Sequence, residues 1–304
     1  MARVAFLGTP ESAVHSLESL VGLHQVGLVV TQPDRPKGRS KRPQAPPVKE
    51  AARKLGLDVA QPERKAGIED ALLAEAPFDV GVVVAFGRIL TPEVLAIPDK
   101  GLLNVHFSLL PRWRGAAPVA RALMAGDPMT GVTIIKLDQG LDTGPILTAQ
   151  AVDIGSVENA AGLTDRLARV GARLLVDSLD PYLRGDLEPV AQSDEGVTYA
   201  DKIEPGDRPI SPADVVDSVL GQVRGLAPRP AATLMVDGEA HKILAVERSD
   251  VSPPQGSWQI IDGAPVVGLA NGGIEIVTIQ PPGKTPRDGR AWANGLHAKA
   301  GTVA

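Results

Sequence analysis

Cysteine is absent from the 304 residues. A disulfide framework, a thiolate zinc site, an iron–sulfur cluster and a cysteine nucleophile are therefore excluded. An excess of positive charge is missing as well. The 31 Lys and Arg stand against 36 Asp and Glu, a net charge of −5, so the chain is not a uniformly basic nucleic-acid binder, although a local basic patch stays open. Long apolar runs are lacking: stretches such as Val82–Phe86 fall far short of the ~18 residues that cross a bilayer. The opening MARVAFLGTPES carries one basic residue and breaks at Gly8-Thr9-Pro10, too soon for the apolar region of a signal peptide. No internal repeat or low-complexity tract is found. What remains is ordinary globular material, 43% hydrophobic and 22% charged, long enough for two domains of ~100–200 residues. A soluble cytoplasmic protein with no membrane partner is expected.

Along the chain, the apolar run at 3–8 ends in Gly-Thr-Pro, and Val14, Leu17, Leu20 and Val21 then recur at helical spacing. Strands are expected at Val26–Thr31, Asp79–Val84, Gly101–His106 and Gly131–Leu137, and helices at Val48–Leu55, Ile68–Ala76 and Asn159–Leu179. Apolar strands alternating with helices indicate a Rossmann-like α/β domain built on a mostly parallel sheet. The first strand-to-helix junction, GTPES, lacks G-x-G-x-x-G spacing, which speaks against a nicotinamide nucleotide site. Residues 185–212 are rich in Gly, Pro, Asp and Glu with little periodicity, as a linker is. Beyond them, a helix at Ala213–Gly225 precedes short, evenly spaced strands near 231–236, 241–246, 256–261, 265–269 and 274–280, with Asp-Gly turns at 237–238 and 262–263. That pattern predicts a small, OB-like β-barrel. The expected domains are 1–184, a linker at 185–212, and 213–304.

The densest unusual stretch is GLLNVHFSLLPRWRGAAP at 101–118. Asn104 and His106 are two apart at a strand end and so share a face of the sheet. Ligands of open parallel sheets bind beyond the carboxyl ends of the strands, where this pair falls. After the strand at 131–137 comes Asp138-Gln139-Gly140-Leu141-Asp142-Thr143-Gly144-Pro145, a loop from which Asp142 can project. An amide, an imidazole and a carboxylate suit acyl transfer to an amine: the amide donates to a developing oxyanion, and the other two move or stabilise charge. Taken singly, a histidine at a strand end also reads as a structural residue, and Asp before Thr-Gly as a turn former.

Together these segments resemble the formyl-folate-dependent transferase family. Asn104-Val105-His106, Ser108-Leu109-Leu110-Pro111, Arg112-Trp113-Arg114-Gly115-Ala116-Ala117-Pro118 and Gly140-Leu141-Asp142-Thr143-Gly144 carry the resemblance. Thr31-Gln32-Pro33-Asp34-Arg35-Pro36 with Gly38-Arg39 is similar to the members of that family that act on methionyl-tRNA. The likeness begins at Gly8-Thr9-Pro10, takes in Val84–Leu90, ends at Gln280-Pro281-Pro282-Gly283-Lys284, and thins after residue 182. It implies transfer of the formyl group of 10-formyltetrahydrofolate to the α-amino group of methionyl-initiator-tRNA, by a monomer and without a metal. By motif, Asn104, His106 and Asp142 are the catalytic trio. Ser108, Leu109, Leu110 and Pro111, with Phe86, Gly87, Arg88, Ile89 and Leu90, are the folate site. Formylation of a sugar-nucleotide or other small amine is the alternative within the family, and a non-catalytic folate- or RNA-binding relic the alternative outside catalysis.

Three features bear on those expectations. Arg35, Lys37, Arg39, Lys41 and Arg42 stand against a single Asp34 in the Pro-broken segment 32–47, a surface loop expected to grip the acceptor end of tRNA. Residues 201–304 hold ten Lys and Arg against twelve Asp and Glu, so the second domain lacks the positive lean of a strong RNA binder. Phe107 stands where many members carry glycine. By alternation it leaves the face opposite His106 and should enter packing.

Overall fold

The computed structural model describes residues 1–36 and 42–304. Its contacts gather into two units. The first comprises Met1–Ala116, Met129–Asp153 and Thr164–Ala200, and the second Ala117–Pro128, Ile154–Leu163 and Asp201–Ala304.

The first unit is built on a seven-stranded sheet. In spatial order its strands are Ile146–Asp153, Met129–Lys136, Leu102–His106, Val80–Val84, Arg3–Gly8, Gln25–Val30 and Val59–Ala60. The five from Leu102–His106 onward are parallel. Val80–Val84 is buried along its whole length, as a central strand covered on both faces must be. The expected α/β architecture with a mostly parallel sheet is present, with one correction. Met129–Lys136 runs antiparallel to Leu102–His106, and Ile146–Asp153 antiparallel to Met129–Lys136. The latter strand lies at the sheet edge with several residues exposed, so its sequence is too polar to signal a buried strand.

The helix Ala160–Arg184 presents Leu167, Ala168, Ala172, Leu175 and Leu179 as one buried stripe. It runs five residues past its expected end, through Pro181. Tyr182 is buried there and its hydroxyl donates to the Lys100 carbonyl, a tertiary anchor that overrides the local proline signal. Residues 185–200 are ordered by backbone pairing. Val190 exchanges hydrogen bonds of 2.7 and 2.8 Å with Ile146, and Tyr199–Ala200 lies parallel to Arg114–Gly115.

In the second unit, Val216–Leu226 packs on Pro118–Met124. The approach needs Gly221, where a Cβ would stand 2.7 Å from the Leu123 carbonyl oxygen. An antiparallel sheet follows in the order Ala232–Val236, Glu239–Ser249, Gly272–Gln280, Ala264–Leu269, Ser257–Ile261 and Ala300–Thr302. It curls until its edges meet: Asp237 N–H donates to Thr302 O at 3.0 Å and Ala304 N–H to Met235 O at 3.1 Å. Asp237, at φ 47° in the expected Asp-Gly turn, also accepts from Thr302 N–H at 2.8 Å and from Trp258 Nε1 at 3.1 Å. Inside lie Leu234, Ile243, Trp258, Ile274, Ile276 and Trp292. The expected helix at 213–225 spans Val216–Leu226.

Arg121 forms a two-pronged ion pair with Asp207, at 2.8 and 3.0 Å. The guanidinium, and then the Glu204 N–H, hold the Asp207 carboxyl below its ordinary value. A carboxyl lowered in the folded state stabilises above the unfolded value and loses that contribution as pH falls through the folded one. Asp207→Asn is therefore expected to lower the melting temperature by a few degrees at neutral pH. It should leave little difference from the wild type below the carboxylate range. Equal melting curves at neutral pH would show that the pair contributes nothing.

Candidate active site

Asn104 and His106 leave one face of Leu102–His106 at its carboxyl end, registered against Ile135 and Thr133 of the neighbouring strand. The loop after Met129–Lys136 brings Asp142 to them. Asp142 sits at φ 52°, in the left-handed region that Asp tolerates better than most residues. Gly144 lets the loop return against the strand it left, because a Cβ there would lie 1.9 Å from the Lys136 carbonyl oxygen.

The Asp142 side chain is 13% exposed. Its Oδ2 accepts from Gly115 N–H at 2.8 Å, and its Oδ1 from Asn104 Nδ2 at 3.3 Å. His106 Nδ1 stands 3.6 Å from Oδ2. On the other side of the ring, His106 Nε2 lies 2.9 Å from the Trp113 carbonyl oxygen. A carbonyl only accepts, so Nε2 carries the hydrogen and Nδ1 faces the carboxylate. A proton on Nδ1 turns that approach into an ion pair. Asn104, His106 and Asp142 thus form one polar cluster, and Asn104 keeps a second amide hydrogen for another acceptor. Phe107 is 8% exposed and rests against the helix at Gly171.

Two supports carry no signal in the spacing of the sequence. Trp113, at φ 65°, is held by its N–H to Thr198 Oγ1 at 2.9 Å. Gln192 donates from Nε2 to the carbonyls of Asp142 and Gly144, both at 2.7 Å. Its Oε1 accepts from Arg114 Nη2 and Nε at 2.8 and 3.1 Å. Arg114 is only 8% exposed, and a neutral amide receives its charge. Both supports lie in the aperiodic stretch 185–200, where only tertiary contacts reveal a role.

The segments expected to bind folate are partly self-satisfied. Ser108 is buried; its hydroxyl donates to Arg112 O at 2.7 Å and its carbonyl accepts from Thr133 Oγ1 at 2.7 Å. Leu110 N–H donates to the same Thr133 oxygen at 3.1 Å. Leu109 and Pro111 are half-buried. In the second segment Phe86 packs into the core, while Gly87 and Ile89 are exposed and Leu90 is half-buried. Arg88 points its guanidinium at Gln32 Oε1, Pro62 O and Glu63 O, at 2.9–3.2 Å. That side chain braces the loop, and Ser108 shapes its own turn.

Of the basic residues, Arg35 and Arg42 are exposed, and Lys37, Arg39 and Lys41 lie outside the described residues. Arg35–Pro36 pairs antiparallel with Pro43–Gln44. Just before this ribbon, Asp34 meets the buried Lys49 at 2.7 Å and accepts from Gln61 at 2.7 Å. The Lys49 ammonium, then Gln61, hold the Asp34 carboxyl below its ordinary value. Gln61 also bonds Gln32 O, and Gln32 Nε2 bonds Phe86 O at 3.1 Å. The base of the basic segment is therefore tied to the loop after Val80–Val84. An open groove of about 640 Å³ lined by His15, Glu18, Arg169 and Arg173 holds none of these residues, and its His15 and Arg169 both pair with Asp165. Among the described residues no group of three His, Asp or Glu could hold a metal, and no helix is long and apolar enough to cross a membrane.

Gln192→Met removes three hydrogen-bonding roles at nearly constant volume. It strands two carbonyls and a buried guanidinium, each worth about 1–3 kcal/mol when left unsatisfied. Urea unfolding should show a loss of roughly 3 kcal/mol or more. Wild-type stability would mean that water replaces the amide at no cost.

Comparison with known proteins bears on the whole chain. The Formyl transferase domain matches residues 2–179, and the Formyl transferase C-terminal domain residues 202–297. The methionyl-tRNA formyltransferase of Halorhodospira halophila is 44% identical over 301 residues, covering 97% of this chain and 96% of that one. That of Jannaschia sp. is 42% identical over 303 residues, covering 99% of each. In fold, the chain resembles the N-formyltransferase of Helicobacter canadensis in complex with folinic acid and dTDP-3-aminofucose. The TM-score is 0.69 at 19% identity, over 91% of this chain and 99% of that one. HypX from Aquifex aeolicus in complex with tetrahydrofolic acid superposes with a TM-score of 0.66 at 16% identity, over 96% of this chain, which spans about half (47%) of HypX. With both domains matched and more than two-fifths of its residues shared with full-length relatives, the chain belongs to the formyl transferase family.

Proposed function

We propose that this chain transfers the formyl group of 10-formyltetrahydrofolate to the α-amino group of methionyl-initiator-tRNA, giving the formylated initiator of translation. The observation that carries this reading is the end-to-end similarity, at 42–44% identity, to relatives of that name. The solved neighbours share the fold at under a fifth identity and leave the amine substrate open. A reaction that feeds translation initiation belongs in the cytoplasm. A monomer is the simplest state for it, and light scattering tests that point.

The cluster supports a mechanism of addition followed by collapse. The neutral amine attacks the formyl carbon, and its carbonyl oxygen takes up negative charge. Asn104, through its second amide hydrogen, donates to that oxygen. Trp113 occupies Nε2 of His106, so a proton on Nδ1 is the one left to serve the reacting groups. Asp142 holds that proton in place and, through water, accepts the proton the amine loses. Collapse then breaks the bond between the formyl carbon and N10 of the cosubstrate, which leaves as tetrahydrofolate carrying the proton from His106 Nδ1. Removal of one such donor costs about 10²–10³ in rate. In this reading residues 1–184 carry the cosubstrate and the chemistry, and 185–212 lead to the domain 213–304. Gly87–Leu90 and Leu109–Pro111 offer backbone groups and apolar wall to the pterin. Arg35, Lys37, Arg39, Lys41 and Arg42 neutralise tRNA phosphates, a task for which the near-neutral domain 213–304 is poorly charged.

His106→Ala and Asp142→Ala should each lower single-turnover formyl transfer by about 10²–10³ while leaving folate affinity within a few-fold. If the pair acts as one unit, the double variant should be scarcely slower than the worse single. Multiplied losses would separate their roles, and wild-type rates would remove the site. Charged initiator tRNA assayed beside a panel of amino sugars decides the substrate.

Replacing Arg39, Lys41 and Arg42 together by Ala should flatten the slope of log affinity for tRNA against log salt by about two units. Folate affinity should not change. An unaltered slope would reduce the segment to a solvated loop.

A further inference from the structure

Tyr199 is the aromatic side chain that the fold leaves outside. Of the nine Phe, Trp and Tyr residues, seven are less than a tenth exposed and Trp113 is half-buried, whereas Tyr199 is 58% exposed. It is also held rigidly. Tyr199 and Ala200 pair in parallel with Arg114 and Gly115. The preceding Thr198 accepts from Arg114 N–H through its carbonyl and from Trp113 N–H through its hydroxyl, both at 2.9 Å. The residues it is fastened to are those that touch the cluster: Trp113 O receives His106, and Gly115 N–H holds Asp142. The backbone that carries this exposed ring therefore stands one strand spacing, ~4.8 Å, from the backbone that orients the reacting groups.

We propose that Tyr199 is the stacking platform for the 3′-terminal adenine of the charged tRNA, setting the acceptor end so that the α-amino group reaches Asn104, His106 and Asp142. The proposal rests on charged tRNA being the amine substrate. The methionyl side chain branches from the carbon that bears the amine and so must lie against the cluster itself, too near to reach beyond Gly115. Small apolar groups are also bound in enclosed slots rather than on an open ring. Tyr199 itself pairs with Arg114 and not with the folate segments at 86–90 and 108–111, the nearer of which meets its neighbour Thr198 through the Pro111 carbonyl at 3.4 Å. The terminal adenine is separated from the amine by an ester and a ribose, which suits a ring one strand away. A fixed aromatic face also stacks a base at low entropic cost.

Stacking on one aromatic residue is worth ~1–3 kcal/mol, so Tyr199→Ala should raise the KM for charged initiator tRNA roughly 5- to 150-fold. The kcat, folate affinity and circular dichroism should stay unchanged. Tyr199→Phe should restore KM to within a few-fold, because the face and not the hydroxyl is used. A readout without turnover uses initiator tRNA whose terminal adenine is replaced by 2-aminopurine. Its fluorescence should be quenched by the wild type and by Tyr199→Phe but not by Tyr199→Ala. An unchanged KM in the alanine variant, failure of phenylalanine to restore it, or quenching independent of residue 199 overturns the proposal. A wild type that formylates amino sugars but no charged tRNA overturns the functional reading instead.

Discussion

The site depends on holding one carboxylate in a fixed orientation and largely out of water. Asp142 is reached by three separate parts of the chain: the strand end through Asn104, the Arg114–Gly115 segment through a backbone N–H, and the 185–200 stretch through Gln192. A buried carboxylate without partners would take up a proton or pull the loop towards water. Backbone and amide donors stabilise it without neutralising its charge. The same holds for the imidazole, which is fixed by a carbonyl on one side and by the carboxylate on the other. The candidate catalytic groups are thus oriented by ordinary peptide groups, and those peptide groups are held in turn by Gln192 and Thr198.

That dependence gives the stretch after residue 184 a different meaning from its composition. Its low periodicity suits a tether, yet Gln192, Thr198 and Ala200 each close a bond or a ladder on the site. Apart from the short ladder at Tyr199–Ala200, the stretch has no regular element because its hydrogen bonds go to other parts of the chain, which is how a loop satisfies its backbone. Similar logic governs the basic segment, whose base is fixed to the sheet through Asp34, Lys49, Gln61 and Gln32.

Much was legible in the sequence because the relevant forces are local. The buried strand Val80–Val84, the stripe on Ala160–Arg184 and the Asp-Gly turn at 237–238 all follow from hydrophobic period or from a positive φ. The spacing of Asn104 and His106 by itself puts both on one face, since side chains alternate along a strand. The absence of cysteine removed several chemistries outright. The loop after the strand at 131–137 offered Asp142 as a candidate, and the motif resemblance joined it to a histidine 36 positions earlier, which no periodicity could do.

Tertiary structure decided what depends on partners distant in sequence. It turned the strand at 129–136 antiparallel, because direction is set by the neighbour and not by the apolar pattern. It carried the long helix through Pro181 by giving Tyr182 a buried acceptor. Arg88 gained a bracing role, since three acceptors from other segments surround its guanidinium. Gln192 gained its role from two carbonyls some fifty residues before it. An amide side chain has no period and no preferred spacing, so its function exists only once the fold brings its partners within 3 Å.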